Sequence, residues 1–299
     1  MTELALQVAK KLNITIAEES VPPQGMSSEV LLLKDTDGKD YAVKYSQEAN
    51  VDESVLTLIA TSSIAVPVPK MLASFHWRGK TALVMQKIHF PLLESVSVDQ
   101  MARYIPSMIN TLRGLHQLKA RRVSQFGSEQ VLTSWQEFML SIFNGKTIDW
   151  AEVATRPLLD TQLILASVER IATKITSTHF SDQNYCLLHT DFNQRNLFID
   201  PNSDQISGVI DWSEAMYGDP IYDFARVRML IWHFNMSTEV INDYYKLMNY
   251  TVEQKRLEEL YWLSRVIEYL AYYSQELNEF NLGRIKLHQE FLRHYNWAN

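Results

Sequence analysis

The chain has 299 residues, 46% hydrophobic and 21% charged, a composition that supports a sizeable core and excludes a disordered or low-complexity chain. Its net charge is −7, of which −1 falls in residues 1–90 and −6 in the remainder. With no basic face, we expect no nucleic-acid partner and favour a cationic small molecule.

No run approaches the ~18 apolar residues of a membrane span, and the first residues lack a signal-peptide core. We expect a cytoplasmic protein with no membrane partner. The single cysteine, Cys186, lies in an apolar run, so burial is expected, and a chain with one cysteine has no internal disulfide.

Length favours two lobes over one small core. Residues 3–12 read as a short helix and Ile14–Glu19 as the start of a strand. The passage Val21–Glu29 is turn-rich. A plain loop fits it, and so does a phosphate cover in which Gly25, Ser27 and Ser28 present N–H and hydroxyl donors.

Val30–Lys34 and Asp40–Ser46, joined by Asp35-Thr36-Asp37-Gly38, form a hairpin by the Asp-Gly rule. Lys44 stands on its second strand between Val43 and Tyr45. Asn50-Val51-Asp52-Glu53 opens a helix to about Ala60. Glu53 is either the partner in a capping box begun by Asn50 or the carboxylate that orients Lys44; we favour the second. Met71–Trp77, an Arg78-Gly79 turn and Lys80–Ile88 complete a mainly antiparallel five-stranded sheet with one helix.

From Ser97 the period becomes helical, beginning with the capping box Ser97-Val98-Asp99-Gln100 and running to Leu118. Further helices are expected over Thr133–Phe143 and Leu158–Thr178. Gly145-Lys146-Thr147 resembles the end of a P-loop, but Leu140 stands where its first glycine is required, so it reads as a decoy.

The densest chemistry follows. Leu187–Phe198 reads Leu-Leu-His-Thr-Asp-Phe-Asn-Gln-Arg-Asn-Leu-Phe, and Val209-Ile210-Asp211-Trp212 ends the next apolar run. An ordinary hairpin turn would also contain Asp and Asn. The combined spacing His-x-Asp-x₄-Asn, with a further Asp fifteen residues on, resembles a kinase catalytic loop and its metal-binding Asp. In that reading Asp191 is the base that accepts a hydroxyl proton, and Asn196 and Asp211 are hard oxygen ligands for Mg²⁺.

After it, Asp211–Asp223 contains four acids and no Lys or Arg. Glu214 is the stronger candidate to read a substrate amine. Asp219 before Pro220 reads as a helix N-cap ahead of a substrate contact, and Asp223 completes the acidic set. Beyond Phe224 the chain is helical and aromatic-rich, mostly core. There Glu258, Glu259 and Glu268 are solvated helix charges by default, with Glu268 carried as a substrate candidate.

The order of Gly25, Lys44, Glu53, Met85-Gln86-Lys87-Ile88, His189-Thr190-Asp191, Asn196 and Asp211 resembles the aminoglycoside phosphotransferase family. Val209–Asp219 looks especially like its hygromycin B phosphotransferases, and Thr133-Ser134-Trp135 with Phe138 adds to that likeness. The resemblance implies an α+β, two-lobed, protein-kinase-like fold. Residues 1–88 would form a small antiparallel-sheet nucleotide-binding lobe, and 89–299 a mainly helical catalytic and substrate-binding lobe.

It also implies transfer of the γ-phosphoryl of ATP or GTP to a hydroxyl of an aminocyclitol antibiotic, with Mg²⁺. Lys44 would contact phosphate, and backbone groups around Gln86 and Ile88 would meet the adenine edge. Macrolide, choline and other metabolite kinases share the catalytic layout. Two residues depart from the pattern: Thr190 stands where many relatives have glycine, and Arg195 where a small residue is frequent.

Overall fold

A computed structural model describes residues 1–22, 29–126, 132–180 and 184–297. It opens with α1 (Glu3–Leu12), capped by Thr2, whose hydroxyl accepts from the Ala5 N–H, and closed by Asn13 in the left-handed region. Then come β1 (Ile16–Ser20), β2 (Glu29–Asp35), β3 (Asp40–Ser46), α2 (Ala49–Thr61), β4 (Met71–Trp77) and β5 (Lys80–Gln86). The five strands form one antiparallel sheet in the order β1-β2-β3-β5-β4, as the turn chemistry predicts.

Both hairpin turns have local causes. Asp35 Oδ1 accepts from the N–H of Asp37 and Lys39, and Gly38 takes φ 81°. Arg78 and Gly79 both adopt positive φ, the backbone of a two-residue turn that matches strand twist.

The rest is mainly helical. After a 3₁₀ turn at Leu93–Ser95 follow α3 (Val98–Ala102), α4 (Ile105–Leu115), β6 (Lys119–Ala120), β7 (Ser124–Gln125), α5 (Trp135–Phe143), α6 (Trp150–Val153) and α7 (Thr161–Ser177). The chain ends with β8 (Tyr185–Leu188), β9 (Leu197–Asp200), β10 (Gln205–Val209), β11 (Met216–Gly218), α8 (Pro220–His233), α9 (Thr238–Met248), α10 (Val252–Tyr273) and α11 (Glu279–His294).

The predicted helix over Ser97–Leu118 is two helices. The Ser97/Gln100 capping box forms, but α3 stops at Ala102 and α4 restarts with Pro106 in its first turn, because proline has no N–H to continue a helix. Helix α7 starts later than Leu158, where Asp160 accepts from the Leu163 N–H.

One apolar cluster packs α1 against the sheet, through Leu4, Val8, Leu33 and Val43. A second crosses the boundary expected at 88/89, joining Val55 and Ile59 of α2 to Leu112, Leu187 and Val227. A third fills the helical part around Trp135, Tyr261 and Ile267. The second cluster matters most for the site, because it ties α2 to the strands that carry the polar loops. Among the described residues no helix is long and apolar enough to cross a membrane.

Candidate active site

The loop 189–196 is not a hairpin turn. Strand β8 pairs with β6 and β11, whereas β9 pairs with β10, so the loop crosses between two sheets. Both its ends are anchored in buried strand.

Its backbone is held by a carboxylate that the sequence placed among substrate contacts. Asp223 is 0% exposed and accepts from the N–H of His189 at 3.0 Å, from the N–H of Thr190 at 2.8 Å and from His116 Nε2 at 3.0 Å. Burial alone would raise its pKa, but His116 and the loop N–H outweigh it and the net direction is down. Asp223 is therefore a buttress of the loop, and burial keeps it from reaching an acceptor.

Thr190 sits at φ 64°, a region that costs a β-branched residue about 1–3 kcal/mol. That geometry is the reason glycine suits the position. Here the hydroxyl donates to the Glu214 carbonyl, and Arg265 Nη2 donates to the Thr190 carbonyl, so the strain is held from both sides.

Asp191 follows. Its Oδ2 accepts from Asn196 Nδ2 at 2.9 Å, and its Oδ1 accepts from Arg226 Nη2. Asn196 Nδ2 lies between two acceptors of Asp191, the carbonyl and the carboxylate. That fixes the amide's orientation and turns Oδ1 away from Asp191.

Asp211, also at positive φ, accepts at Oδ1 from Lys44 Nζ at 2.7 Å and from Ser213 Oγ at 2.9 Å. Among the described residues no donor reaches Asn196 Oδ1 or Asp211 Oδ2. Those two hard oxygens fit Mg²⁺. No group of three or more His, Cys, Asp or Glu side chains suited to a metal occurs among the described residues.

Lys44 is buried between two carboxylates, with Asp52 Oδ2 at 2.7 Å and Asp211 Oδ1 at 2.7 Å. Desolvation disfavours its charge, but the two anions prevail and its pKa rises. Burial likewise opposes the charge of Asp211, and Lys44 reverses the sign, holding that carboxyl below its ordinary value.

The expected Lys44–Glu53 pair is corrected to Lys44–Asp52. Glu53 Oε2 accepts from Ser74 Oγ instead, and the capping box begun by Asn50 does not form, since α2 starts at Ala49. Helix phase explains the choice. Asp52 lies on the buried stripe with Val51, Val55, Leu56 and Ile59, and its Oδ1 also accepts from the Trp212 N–H.

Other candidates fall variously. Gly25, Ser27 and Ser28 lie outside the described residues. The Gln86 N–H donates to the Lys70 carbonyl at 2.9 Å. Ile88 packs over Gly208, where an added Cβ would lie 2.5 Å from Ile88 Cδ1. Asp219 is the N-cap of α8, accepting from the Ile221 N–H and from the Tyr261 hydroxyl.

Glu268 is paired with Arg265 at 2.6 Å and mostly buried, and Glu258 is fully buried against Tyr244 and Arg228. Neither is a solvated charge. Glu259 accepts from Tyr295. Of the four candidate substrate acids, Glu214 is the exposed one. Arg195 lies 3.4 Å from Glu94 and over the ring of Phe280. Gly145, at φ 83°, belongs to the turn after α5, in keeping with the decoy reading.

Sequence reasoning missed Asp52, Arg226 and Arg265. Each is a charge on the buried face of an amphipathic helix. That signal was legible for Asp52, from the apolar stripe around it.

The sequence profile of a phosphotransferase enzyme family matches residues 20–250. Hygromycin-B 4-O-kinase of Escherichia coli is 22% identical over 178 residues, which cover 56% of this chain and 48% of that protein. The chain spans about half the length of that relative.

Among solved structures, aminoglycoside phosphotransferase APH(4)-Ia, as a thermostable mutant in ternary complex with AMP-PNP and hygromycin B, superposes with TM-score 0.75 at 17% identity, covering 98% of this chain and 97% of that one. Aminoglycoside phosphotransferase APH(2'')-Ib with ADP gives TM-score 0.63 at 16% identity, covering 97% of each. At these identities the likeness is one of fold: an antiparallel sheet followed by a helical part, as in protein kinases.

Proposed function

Because the chain belongs to the phosphotransferase enzyme family, we propose that it transfers the γ-phosphoryl of ATP or GTP to a hydroxyl of an aminoglycoside such as hygromycin B, conferring resistance in the cytoplasm. The observation that carries the reading is a pair of contacts, Lys44 to Asp211 at 2.7 Å and Asn196 to Asp191 at 2.9 Å, joined by the Ile210 N–H that donates to the Asn196 carbonyl. Residues 1–88 would bind nucleotide, and 89–299 would supply the catalytic loop and the acceptor site.

The chemistry is direct in-line transfer. Lys44, fixed by Asp52, donates to the nucleotide phosphates. Asp191 accepts a hydrogen bond from the acceptor hydroxyl, aligns its oxygen for attack and takes the proton as the bond to phosphorus forms and the bond from phosphorus to the departing nucleoside diphosphate breaks. Asn196 and Asp211 would hold Mg²⁺, which neutralises phosphate charge when bound. Exposed Glu214, next to the loop through Thr190, is the proposed contact for an acceptor amine.

One observation favours a second reading. Asp219, Asp223 and Glu268 are each engaged internally, while Arg226 and Arg265 stand beside the catalytic loop. With three of the four acids so engaged and Glu214 the exposed one, the site suits an acceptor with few amino groups, such as a macrolide or another hydroxylated metabolite. A screen with Mg-ATP and Mg-GTP against hygromycin B, other aminoglycosides, macrolides and choline, read by product mass, tests both. A phosphorylated macrolide or choline without aminoglycoside product overturns the first reading. Asp191→Ala is expected to abolish turnover while nucleotide binding persists, and turnover equal to the parent's would remove Asp191 from the mechanism.

A further inference from the structure

We propose that Arg226 is the positioning residue of Asp191, fixing the carboxylate that meets the acceptor hydroxyl, and that Tyr269 fixes Arg226 in turn. This rests on the kinase reading above. Residues three apart on a helix are neighbours on one face, and Asp223 and Arg226 stand so on α8. Asp223 accepts from the backbone of His189 and Thr190. Arg226 donates to the side chain of the next residue, Asp191. A single helical face thus holds three consecutive loop residues in place.

The geometry of the pair is directional. Arg226 has a side-chain exposure of 3% against 32% for Asp191, so the cation is buried behind a carboxylate that keeps an open side. Asp191 is its ion-pair partner, and no second carboxylate is within ion-pair distance of Arg226 among the described residues.

The guanidinium fork is itself clamped. Nη1 donates to the Tyr269 hydroxyl, and Cζ lies 5.1 Å from the centroid of the Tyr269 ring. Arg226 Nε is buried with no partner among the described residues, so the group is oriented by its two outer nitrogens. Lysine has no such fork.

A free aspartate rotates over a broad terminal torsion. In Asp191 one oxygen is held by Arg226 and the other by Asn196, so the carboxylate has one orientation before an acceptor arrives. Phosphoryl transfer leaves little covalent work to the base, and placement of the acceptor oxygen supplies most of its effect. Loss of Arg226 therefore acts on turnover and not on nucleotide binding, which uses Lys44 and Asp211. A merely structural role would lower stability and impair both.

The test uses the full chain with the acceptor found by the screen above. Arg226→Ala is expected to lower kcat about 100-fold with nucleotide Kd unchanged, and millimolar ethylguanidinium, unlike ethylammonium, to restore much of the loss. Arg226→Lys keeps the charge without the fork and is expected to lower kcat about tenfold. Parental kcat in either variant overturns the proposal, as does a loss in Arg226→Ala that ethylguanidinium leaves unchanged.

If Arg226→Ala does not fold, Arg226→Lys decides by the same kcat and Kd comparison. If the parent phosphorylates none of the acceptors, it is the kinase reading that fails. The positioning claim is then read from crystal structures of the parent and Arg226→Lys: a rotated Asp191 carboxylate supports it, and one shared rotamer overturns it.

Discussion

Lys44 and Asp211 are 167 residues apart in the chain and 2.7 Å apart in space. Asp52 holds the other side of the same ammonium and also accepts from the backbone of Trp212. One lysine thereby ties the sheet, helix α2 and the loop after β10 together. Breaking one partner of such a buried network leaves charge uncompensated.

Asp52→Asn is expected to destabilise the protein by about 1–3 kcal/mol, since Lys44 keeps Asp211 as a partner, and to lower kcat/KM for nucleotide. Glu53→Gln is expected to change stability by less than about 0.5 kcal/mol. Urea unfolding and steady-state kinetics on the two variants check this. The opposite ranking would return the orienting role to Glu53.

Asp211→Asn preserves shape and removes the anion. The Mg²⁺ concentration for half-maximal turnover is expected to rise about tenfold or more, and Asn196→Ala to shift it in the same direction. A magnesium titration at saturating nucleotide measures both. Unchanged midpoints would mean that these oxygens do not hold the ion.

Acid sensitivity should arise from a buried histidine pair. His288 Nδ1 lies 2.8 Å from the Val266 carbonyl and must donate to it, so His288 Nε2 accepts from His233 Nε2 at 2.7 Å. Burial, reinforced by His288 and nearby arginines, pushes His233 down to about 2, and burial pushes His288 down to about 4. The folded pair stays neutral while the unfolded chain binds protons below ~6.5. The stability contribution is therefore complete above pH ~6.5 and falls as pH drops toward about 4, by up to about 1.4 kcal/mol per pH unit for each histidine. Urea midpoints between pH 7.5 and 5 measure the slope, and His288→Gln should reduce it. A flat profile would remove the pair as its source.

Gly218 has no room for a side chain. A Cβ there would lie 2.1 Å from Trp135 Cζ3 and 2.8 Å from Leu188 Cδ1, and Trp135 is 0% exposed. Gly218→Ala is expected to lower stability by about 1–3 kcal/mol through overpacking, read as a fall in Tm. An unchanged Tm would show that Trp135 yields without cost.

Turn chemistry and alternation made the five-stranded sheet readable, because Asp-Gly and Arg-Gly turns fix their strands locally. The break between α3 and α4 was readable in principle from Pro106. The division of labour among carboxylates was not. Asp223 and Glu268 look like surface acids in a linear chain, and only packing shows that one grips the loop 189–196 and the other an arginine.

By itself the sequence singled out the proposed reacting set, Asp191, Asn196 and Asp211, since their spacing follows from the short chain path between two strands and the end of the next. Tertiary structure decided the partners: Asp52 for Lys44, Arg226 for Asp191, Asp223 for the loop backbone. Those choices depend on which helix face turns inward and on the cost of leaving a buried charge unpaired, and both are set by contacts between segments far apart in the chain.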